Sequence, residues 1–223
     1  MAQRSLLVAT GFTREAKIVA QPGVHVIPGG GVALTLERLL EEQAPTACAI
    51  ASFGLTGALQ DGLAIGDWII GERLTGAVDA ETDPAWRDAI KHRLPDARIG
   101  TFFADGSMIA SVDHKRALGR EHGAHAVDME SHIAAMVAAR HGLPFMVVRI
   151  VSDGVEHMLP PAITVSMKPG GAIDTSAMLG SLLRQPRQLP AFATSMVYAA
   201  KAFRGLARGH AAIGPRLALP DFG

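Results

Sequence analysis

The amino-acid sequence predicts an α/β fold: a single domain with a central mixed, largely parallel twisted sheet flanked by helices, plus a C-terminal helical extension. Short apolar runs that end in turns alternate with segments of helical spacing over residues 1–155, which is typical of α/β proteins. The composition then changes, because residues 160–223 hold seven basic residues, two acidic residues and seven of the 13 prolines. We therefore predict an α/β domain over residues 1–158 and a basic, proline-broken extension over 159–223, packed on that domain or on a partner.

Apolar or alternating runs predict the strands of the sheet. They span residues 5–9, 24–27, 47–53, 67–70, 99–103 and 145–151. Helical spacing over Val32–Glu42 predicts a helix, and Ser131 is predicted to cap another helix that ends before Gly142. Because a strand precedes that second helix and another follows it, residues 124–153 are predicted to form a parallel βαβ unit.

Acidic residues follow both strands of this predicted unit. Asp128 and Glu130 come directly after the first strand, and Asp153 ends the second. Parallel strands end at the same edge of a sheet, where open α/β sheets bind their ligands. If the strands at 5–9 and 47–53 run parallel to them, Glu15 and the loop 54–57 belong to the same crevice.

Charge and cysteine content exclude some classes of protein. The chain carries 21 basic and 21 acidic residues, so we do not expect nucleic acid as a partner. Its one cysteine, Cys48, cannot form an internal disulfide. No apolar run approaches the roughly 20 residues of a membrane-spanning helix, and no signal peptide is recognised. We therefore expect a cytoplasmic protein.

Three motifs in chain order resemble those of the nucleoside phosphorylase/nucleosidase superfamily, of the purine nucleoside phosphorylase and methylthioadenosine nucleosidase type. That family has a glycine turn with a later Gly-Asp, then Val-Glu-Met-Glu before a helix, then Arg-x-x-Ser-Asp at a strand end. The corresponding residues here are 52–59 with 66–67, 126–131 and 148–153. The resemblance covers about residues 5–157.

The C-terminal extension is similar to one branch of that superfamily, the hopanoid-associated phosphorylases. The similarity rests on Leu159-Pro160-Pro161-Ala162 and on the segment 181–190. It implies that the substrate is an adenine nucleoside, adenosylhopane, from which adenine is removed in hopanoid biosynthesis.

The resemblance implies a role for each of four residues. Asp153 would serve the leaving purine as an acid, which suits a purine that must leave protonated or strongly hydrogen-bonded. Glu130 would accept hydrogen bonds from the 2′- and 3′-hydroxyls of the ribose, because a carboxylate has two acceptor oxygens. Met129 would lie against the sugar as an adaptable apolar surface. Glu15 would activate the attacking water.

Further substrate-binding residues follow from the same resemblance: Asp128, Ser152, Gly54, Leu55 and Thr56. Asp128 stands where the family has Glu and is one methylene shorter. Arg149 is expected to pair with a carboxylate rather than to touch substrate. Taken singly, the acidic residues also fit structural roles, since Asp153 is suited to begin a turn and Glu130 to complement a helix N-terminus.

The sequence leaves open whether water or phosphate attacks the sugar. Some phosphorylases of the family carry Arg-x-Gly-Ser at the glycine turn, and this chain has Ser52-Phe53-Gly54-Leu55 instead. Gly29, Gly30 and Gly31 before a helix form a candidate anion-binding site, although a tight turn is the favoured interpretation. We expect no cofactor beyond water or phosphate as co-substrate, because neither a metal motif nor GxGxxG is present.

A predicted helix near the C-terminus has one apolar and one basic face. The apolar face carries Phe192, Met196, Ala199, Phe203 and Leu206, and the opposite face carries Lys201, Arg204 and Arg208. Packing on the chain's own core or on a partner subunit is the favoured interpretation. The alternative is peripheral contact with an anionic membrane through residues 191–208.

Two expectations concern partners and a rival function. Sites of the family often borrow residues from a neighbouring subunit, which implies a homodimer or larger homo-oligomer. The rival function is a non-catalytic protein that binds an adenine nucleoside or a lipid on the same fold.

Overall fold

The computed structural model describes residues 4–30, 32–168 and 170–221, and in these residues eight strands form one mixed sheet. The strands are β1 (Ser5–Thr10), β2 (Val24–Pro28), β3 (Ala47–Ala58), β4 (Trp68–Gly76), β5 (Ala80–Glu81), β6 (Arg98–Ala104), β7 (Ala126–Asp128) and β8 (Phe145–Asp153). Parallel pairings outnumber antiparallel ones. The predicted mixed, largely parallel sheet is confirmed.

Helices cover the sheet and extend beyond its last strand. They are α1 (Thr13–Val19), α2 (Ala33–Gln43), α3 (Pro84–Arg93), α4 (Val112–His122), α5 (Ser131–His141), α6 (Pro161–Thr164), α7 (Thr175–Arg184) and α8 (Leu189–Ile213). Short 3₁₀ turns lie at 44–46, 186–188 and 215–218. The predicted C-terminal helical extension is therefore present. None of the described helices is long and apolar enough to cross a membrane.

The third strand is longer than its apolar run predicts. The run ends at Phe53, whereas β3 continues through Gly54 to Ala58. The strand continues through Gly54 and Gly57 because β8 pairs with it from Ile50 to Gly57. This length carries β3 from the core into the region of the candidate site.

Five of the strands close into a ring. β3 pairs with β8, β8 with β4, β4 with β6, β6 with β7, and β7 with β3. β1 and β2 continue the sheet outward from β3 as parallel neighbours. The ring closes because β8 runs parallel to β3 on one side and antiparallel to β4 on the other.

The prediction of a parallel βαβ unit over residues 124–153 is wrong. β7 runs antiparallel to β3, whereas β8 runs parallel to it. The ends of β7 and β8 still meet, because Gly57 on β3 lies opposite both Val127 and Asp153. The expected convergence of acidic residues therefore arises from the register along β3 rather than from a shared parallel edge.

Side chains of the strands pack alternately into two apolar layers, one on each face of the sheet, because successive side chains of a strand point to opposite faces. In β1, Leu7 packs in the layer covered by α2 and α5, and Leu6 packs in the layer covered by α1, α3 and α8. Trp86 on α3 is fully buried, and its indole N–H donates to the Leu217 carbonyl at 2.7 Å. This hydrogen bond links the 3₁₀ turn after α8 to the core.

The second half of α8 packs on the sheet of its own chain. Ala202, Leu206 and Ile213 are buried in that second layer. Close approach depends on two glycines, because a Cβ at Gly205 would lie 2.5 Å from Ile150 and one at Gly209 would lie 2.2 Å from the Trp68 ring. The division at residue 158 stays a prediction.

Gly209→Ala should destabilise the protein, because the added methyl would overlap a rigid indole ring in a filled core. We expect a loss of about 1–3 kcal/mol in the free energy of unfolding. Gly180→Ala on α7 is the matched control, since its Cβ would have no neighbour closer than 3.8 Å and helix propensity alone predicts a gain of up to about 1 kcal/mol. Urea unfolding of both variants measures the difference, and equal stabilities would contradict this packing.

Candidate active site

A cavity of about 470 Å³ lies where β3, β7 and β8 converge with α1 and α8. Its volume is in the range of small-molecule sites. Most of the predicted site residues line it: Glu15, Leu55, Thr56, Asp128, Met129, Glu130, Ser152 and Asp153. The cavity therefore brings together the residues that the three motifs singled out.

Glu15 is held in the cavity wall by three backbone N–H groups. Its Oε2 accepts hydrogen bonds from the N–H groups of Gly11 and Phe12, both at 2.7 Å, and its Oε1 accepts from Leu55 at 2.7 Å. Two of these donors come from the start of α1, where an acidic residue in the first turn is favourable. The third comes from β3, so the carboxylate joins two parts of the fold.

Burial shifts the titration of this carboxyl group. Glu15 is 1% exposed. Burial raises its pKa to about 7, with a smaller upward contribution from Glu130, while Arg149 and the bonds from Phe12 and Leu55 act in the opposite direction. A carboxylate that titrates near neutral pH is suited to accept a proton from a reacting group.

The position of the Glu15 carboxylate requires a glycine at residue 54. A Cβ at Gly54 would lie 2.5 Å from Oε1 of Glu15, and the residue has φ = +149°, a conformation that is largely confined to glycine. Gly54 itself does not line the cavity. The structure therefore places this residue next to Glu15 as a support, and its contact with substrate stays a prediction.

Arg149 on β8 is buried among carboxylates, as predicted. It is 1% exposed, and its Nη2 lies 3.1 Å from Glu130 Oε2 and 3.2 Å from Asp128 Oδ1. The guanidinium also donates to the Leu55 carbonyl at 2.9 Å and to Ser52 Oγ at 2.6 Å. A charge-assisted network of this kind orients each of its members.

Asp128 caps the helix that follows it. Its Oδ1 accepts from the N–H groups of Glu130 and Ser131 at 2.9 and 2.7 Å, and its Oδ2 lies 2.7 Å from Ser131 Oγ. Ser131 is the first helical residue and Glu130 occupies the cap position, so the prediction of a Ser131 cap is wrong. The Asp128 carboxylate caps the helix because it accepts hydrogen bonds from two N–H groups that have no partner within the helix.

Glu130 lines the cavity close to Glu15. Burial raises the pKa of its carboxyl, against the lowering effect of Arg149, and Asp128 raises it further. A Cβ at Gly11 would lie 3.1 Å from Glu130 Oε1 and 3.4 Å from Glu15 Oε2, so the two carboxylates flank one glycine. One end of the cavity therefore presents two carboxylates that share Arg149 as counter-ion.

Asp153 is paired with a buried lysine that the sequence analysis missed. Lys115 on α4 is fully buried, and its ammonium contacts Asp153 Oδ2 and donates to the carbonyls of Gly154 at 3.1 Å and His157 at 2.9 Å. Helical spacing in the sequence could have indicated that Lys115 is buried. Leu118 and Gly119, three and four positions later, lie on the same buried face of α4.

The second oxygen of Asp153 faces a different partner. Its Oδ1 lies 2.9 Å from Ser152 Oγ, a hydroxyl that is also 3.2 Å from the Thr56 carbonyl on β3. A Cβ at Gly57 would lie 2.9 Å from Oδ2, so this glycine admits the carboxylate. Lys115 and Gly57 together set where Asp153 enters the cavity.

A large apolar part of the cavity wall comes mostly from the C-terminal extension. It includes Met108, Ile109, Leu159, Ile163, Met167, Met178, Phe192, Met196, Ala199 and Phe203. Four of the residues predicted on the apolar face of α8 thus line the cavity, while Leu206 is in the core. Arg14 lies over the Phe203 ring, with its guanidinium carbon 4.3 Å from the ring centre.

The candidate anion-binding glycines form a turn. The N–H of Gly29 donates to the Thr10 carbonyl at 2.7 Å, and that of Gly30 donates to Gly11 at 3.1 Å. Neither residue lines the cavity, and Gly31 lies outside the described residues. Because both N–H groups already have backbone partners, Gly29 and Gly30 are not available to an anion, and the structure agrees with the tight-turn interpretation.

Within 4–30, 32–168 and 170–221, no group of three or more His, Cys, Asp or Glu side chains is placed to hold a metal ion.

Gly54→Ala should destabilise the fold, because its methyl group would overlap the carboxylate of Glu15 in a glycine-only backbone conformation. We expect a loss of about 2–4 kcal/mol in the free energy of unfolding. Gly142→Ala is the control, since it has φ = +61° with no atom within 4 Å of its Cβ and should lose only about 1 kcal/mol. Thermal unfolding compares them, and equal losses would contradict the role given to Gly54.

Comparison with known proteins places this geometry in a family. Residues 4–161 match the family described as the phosphorylase superfamily. The 5′-methylthioadenosine/S-adenosylhomocysteine nucleosidase of Treponema pallidum (strain Nichols) is 34% identical over 122 residues, which are 54% of this chain and 42% of that protein. The match therefore spans less than half of the length of that relative.

Solved structures share the fold over almost the whole chain. Futalosine hydrolase of Helicobacter pylori strain 26695 aligns with a TM-score of 0.67 and 16% identity, covering 95% of this chain and 97% of the other. The S-adenosylhomocysteine nucleosidase from Streptococcus pyogenes, in complex with 5-methylthiotubericidin, aligns with a TM-score of 0.66 and 19% identity, covering 94% and 95%. The motifs, the ring of strands and the matched residues lead to one conclusion: this chain belongs to the phosphorylase superfamily.

Proposed function

We propose that this protein is an adenine-releasing N-glycosidase that hydrolyses the bond between adenine and ribose. The observation that carries the proposal is the convergence of Glu15, Glu130 and Asp153 in one cavity. Two carboxylates lie at the Arg149 end, and the third lies beside Lys115. The 5′-methylthioadenosine/S-adenosylhomocysteine nucleosidase that the chain resembles supports the same type of reaction.

The leaving purine is assigned to the Asp153 end of the cavity. As the bond between C1′ and N9 breaks, its electron pair moves onto the purine, which needs a proton or a strong hydrogen bond on its ring nitrogen. Asp153 supplies this proton as the acid when its carboxyl group is protonated, and it is left as a carboxylate. Lys115 compensates the negative charge that remains on Asp153, and Ser152, 2.9 Å from Oδ1, helps to orient the carboxyl group.

The sugar is assigned to the opposite end. Glu130 accepts hydrogen bonds from the ribose hydroxyls, and Met129 and Thr56 lie along the sugar. Asp128 holds Arg149 and caps α5, so we give it a positioning role. Leu55 contributes through its N–H group, which fixes Glu15.

Water is the proposed nucleophile. Glu15 takes one proton from it while the water oxygen bonds to C1′, which yields free adenine and a free sugar. The three N–H groups on Glu15 hold the carboxylate at a fixed position, so that no reorientation is needed during the reaction.

The proposed substrate is an adenine nucleoside with a large apolar group at its 5′ position, and adenosylhopane fits this description. The support is the apolar wall formed by α7, α8 and the segments before them. An apolar wall stabilises a hydrocarbon group by removing it from water. A nucleoside with a polar 5′ group would gain nothing from this wall.

Phosphorolysis is the second candidate reaction, and one observation favours it. Arg14 lines the cavity, and no carboxylate of the described residues forms an ion pair with it. A guanidinium in that position is suited to hold a phosphate. We rank hydrolysis first, because Gly29 and Gly30 have no free N–H group to help Arg14.

Three further proposals concern the setting of the enzyme. We propose that it acts in the cytoplasm, that it forms a homodimer or larger homo-oligomer, and that residues 191–208 contact an anionic membrane. Lys201, Arg204 and Arg208 are exposed on α8, which supports the last of these.

The deciding experiment measures free adenine released from a 5′-alkyl adenosine in detergent, with and without phosphate. We expect phosphate-independent release, a free ribose product, and the loss of most turnover in a folded Asp153→Asn variant. Release that requires phosphate and yields a ribose 1-phosphate would replace hydrolysis by phosphorolysis. Tight binding without release would establish the non-catalytic rival.

Hydrolysis should depend on pH through Glu15. The base must be ionised, and its raised pKa of about 7 predicts that kcat/KM rises as the pH increases toward that value. Well below pH 7 the rate should fall about tenfold per pH unit. Measuring adenine release from about pH 5 to 9 tests this, and a flat profile would contradict the role of Glu15.

A pair of isosteric variants separates this role from a general loss of charge. Glu15→Gln should lower kcat by about 10²–10⁴-fold. Glu42→Gln, on an exposed face of α2 and paired with Arg38, should leave kcat unchanged. Equal activities of the two variants would remove Glu15 from the mechanism.

A further inference from the structure

Exposed large apolar side chains are concentrated in one segment of the chain. Of ten such residues among the described ones, only Leu34 and Ile99 lie elsewhere. The other eight are Met158, Val165, Ile173, Leu179, Leu183, Leu189, Met196 and Val197. We call these eight residues the apolar collar. Exposed apolar groups of this extent normally mark an interaction surface.

Part of the apolar collar lies at the cavity. Ile173 and Met196 belong to both, because they line the cavity and are also 53% and 40% exposed. Leu179 and Leu183 are one helical turn apart on α7, whose Thr175 and Met178 line the cavity. A group that leaves the cavity on this side therefore meets apolar side chains before it meets bulk water.

The same part of the chain is strongly basic. Residues 158–208 contain six Lys and Arg and a single acidic residue, Asp174, which pairs with Lys168 at 3.3 Å. The other five basic residues are Arg184, Arg187, Lys201, Arg204 and Arg208. They are exposed, and in the described part of the chain no carboxylate forms an ion pair with them. Their charge complements an anionic surface.

We propose that the apolar collar docks on an anionic lipid bilayer, with the cavity mouth facing the lipid. Aliphatic side chains flanked by Lys and Arg are the composition of interfacial membrane-binding surfaces. The choice of a bilayer over a protein partner rests on the excess of exposed Lys and Arg in the same segment. A second copy of this chain would offer this segment the same positive charge, whereas an anionic bilayer offers the opposite charge.

Docking would let a lipid-linked nucleoside enter the cavity from the bilayer, with its apolar group along the collar and its adenine toward Asp153. This route for the substrate rests on the proposed function, whereas the docking itself does not. The collar residues Leu179 and Leu183 do not line the cavity, so that docking and chemistry can be changed separately.

The test is co-sedimentation of the purified protein with vesicles. Vesicles of phosphatidylcholine with phosphatidylglycerol are compared with vesicles of phosphatidylcholine alone, at low and at high salt. We expect binding to the anionic vesicles at low salt, weakened by salt. Leu183→Asp should lower that binding roughly tenfold or more. Leu34→Asp is the matched control, since Leu34 is 80% exposed and Leu183 is 82% exposed, and it should bind like the parent protein.

The proposal is overturned if Leu183→Asp and Leu34→Asp bind vesicles equally, or if the parent protein does not bind. It is also overturned if light scattering shows that Leu183→Asp alone splits an oligomer while no variant binds vesicles, because the collar is then a contact between copies of the chain. Release of adenine from a water-soluble adenine nucleoside should be the same in both variants. A parent protein that binds vesicles but releases no adenine would refute the proposed function and leave the docking proposal standing.

Discussion

The buried guanidinium of Arg149 is the interaction on which the rest of the site depends. It bonds to β3 through Ser52 and the Leu55 carbonyl, and to the carboxylates that follow β7 through Asp128 and Glu130. Burying these carboxylates without a cation would be costly, since an uncompensated buried charge is strongly destabilising. Arg149 therefore balances the negative charge of the site. It also joins β8, on which it lies, to β3 and to the end of β7.

Much of the site was predictable because its residues follow strand ends in motifs. Glu15, Glu130 and Asp153 line one cavity as expected. Lys115 was not predictable as a partner of Asp153, because 38 residues separate them and only the three-dimensional packing of α4 brings them together. The supporting position of Gly54 also depends on a distance to Glu15 that no spacing in the sequence encodes.

The fold also has features that consecutive residues predict and features that depend on residues far apart in the sequence. Apolar runs predict where strands lie, since burial of a strand leaves its pattern in consecutive residues. The direction of β7 relative to β3 leaves no such pattern, so the antiparallel pairing was mispredicted. A glycine normally interrupts a strand, and this rule fails at β3 because β8 pairs with it beyond Gly54.

The glycine turn at 29–30 packs against the loop that precedes α7. A Cβ at Gly30 would lie 2.1 Å from the backbone nitrogen of Gly171, and one at Gly171 would lie 2.5 Å from the Gly11 carbonyl. Thr13 also donates to the Gly171 carbonyl at 3.1 Å. During synthesis, which proceeds from the N-terminus, Glu15 is therefore made long before the part of the wall that α7 and α8 supply. A nascent chain that stops before α8 lacks Phe192, Met196, Ala199 and Phe203 of the cavity wall, so α8 must be made before a closed binding site exists.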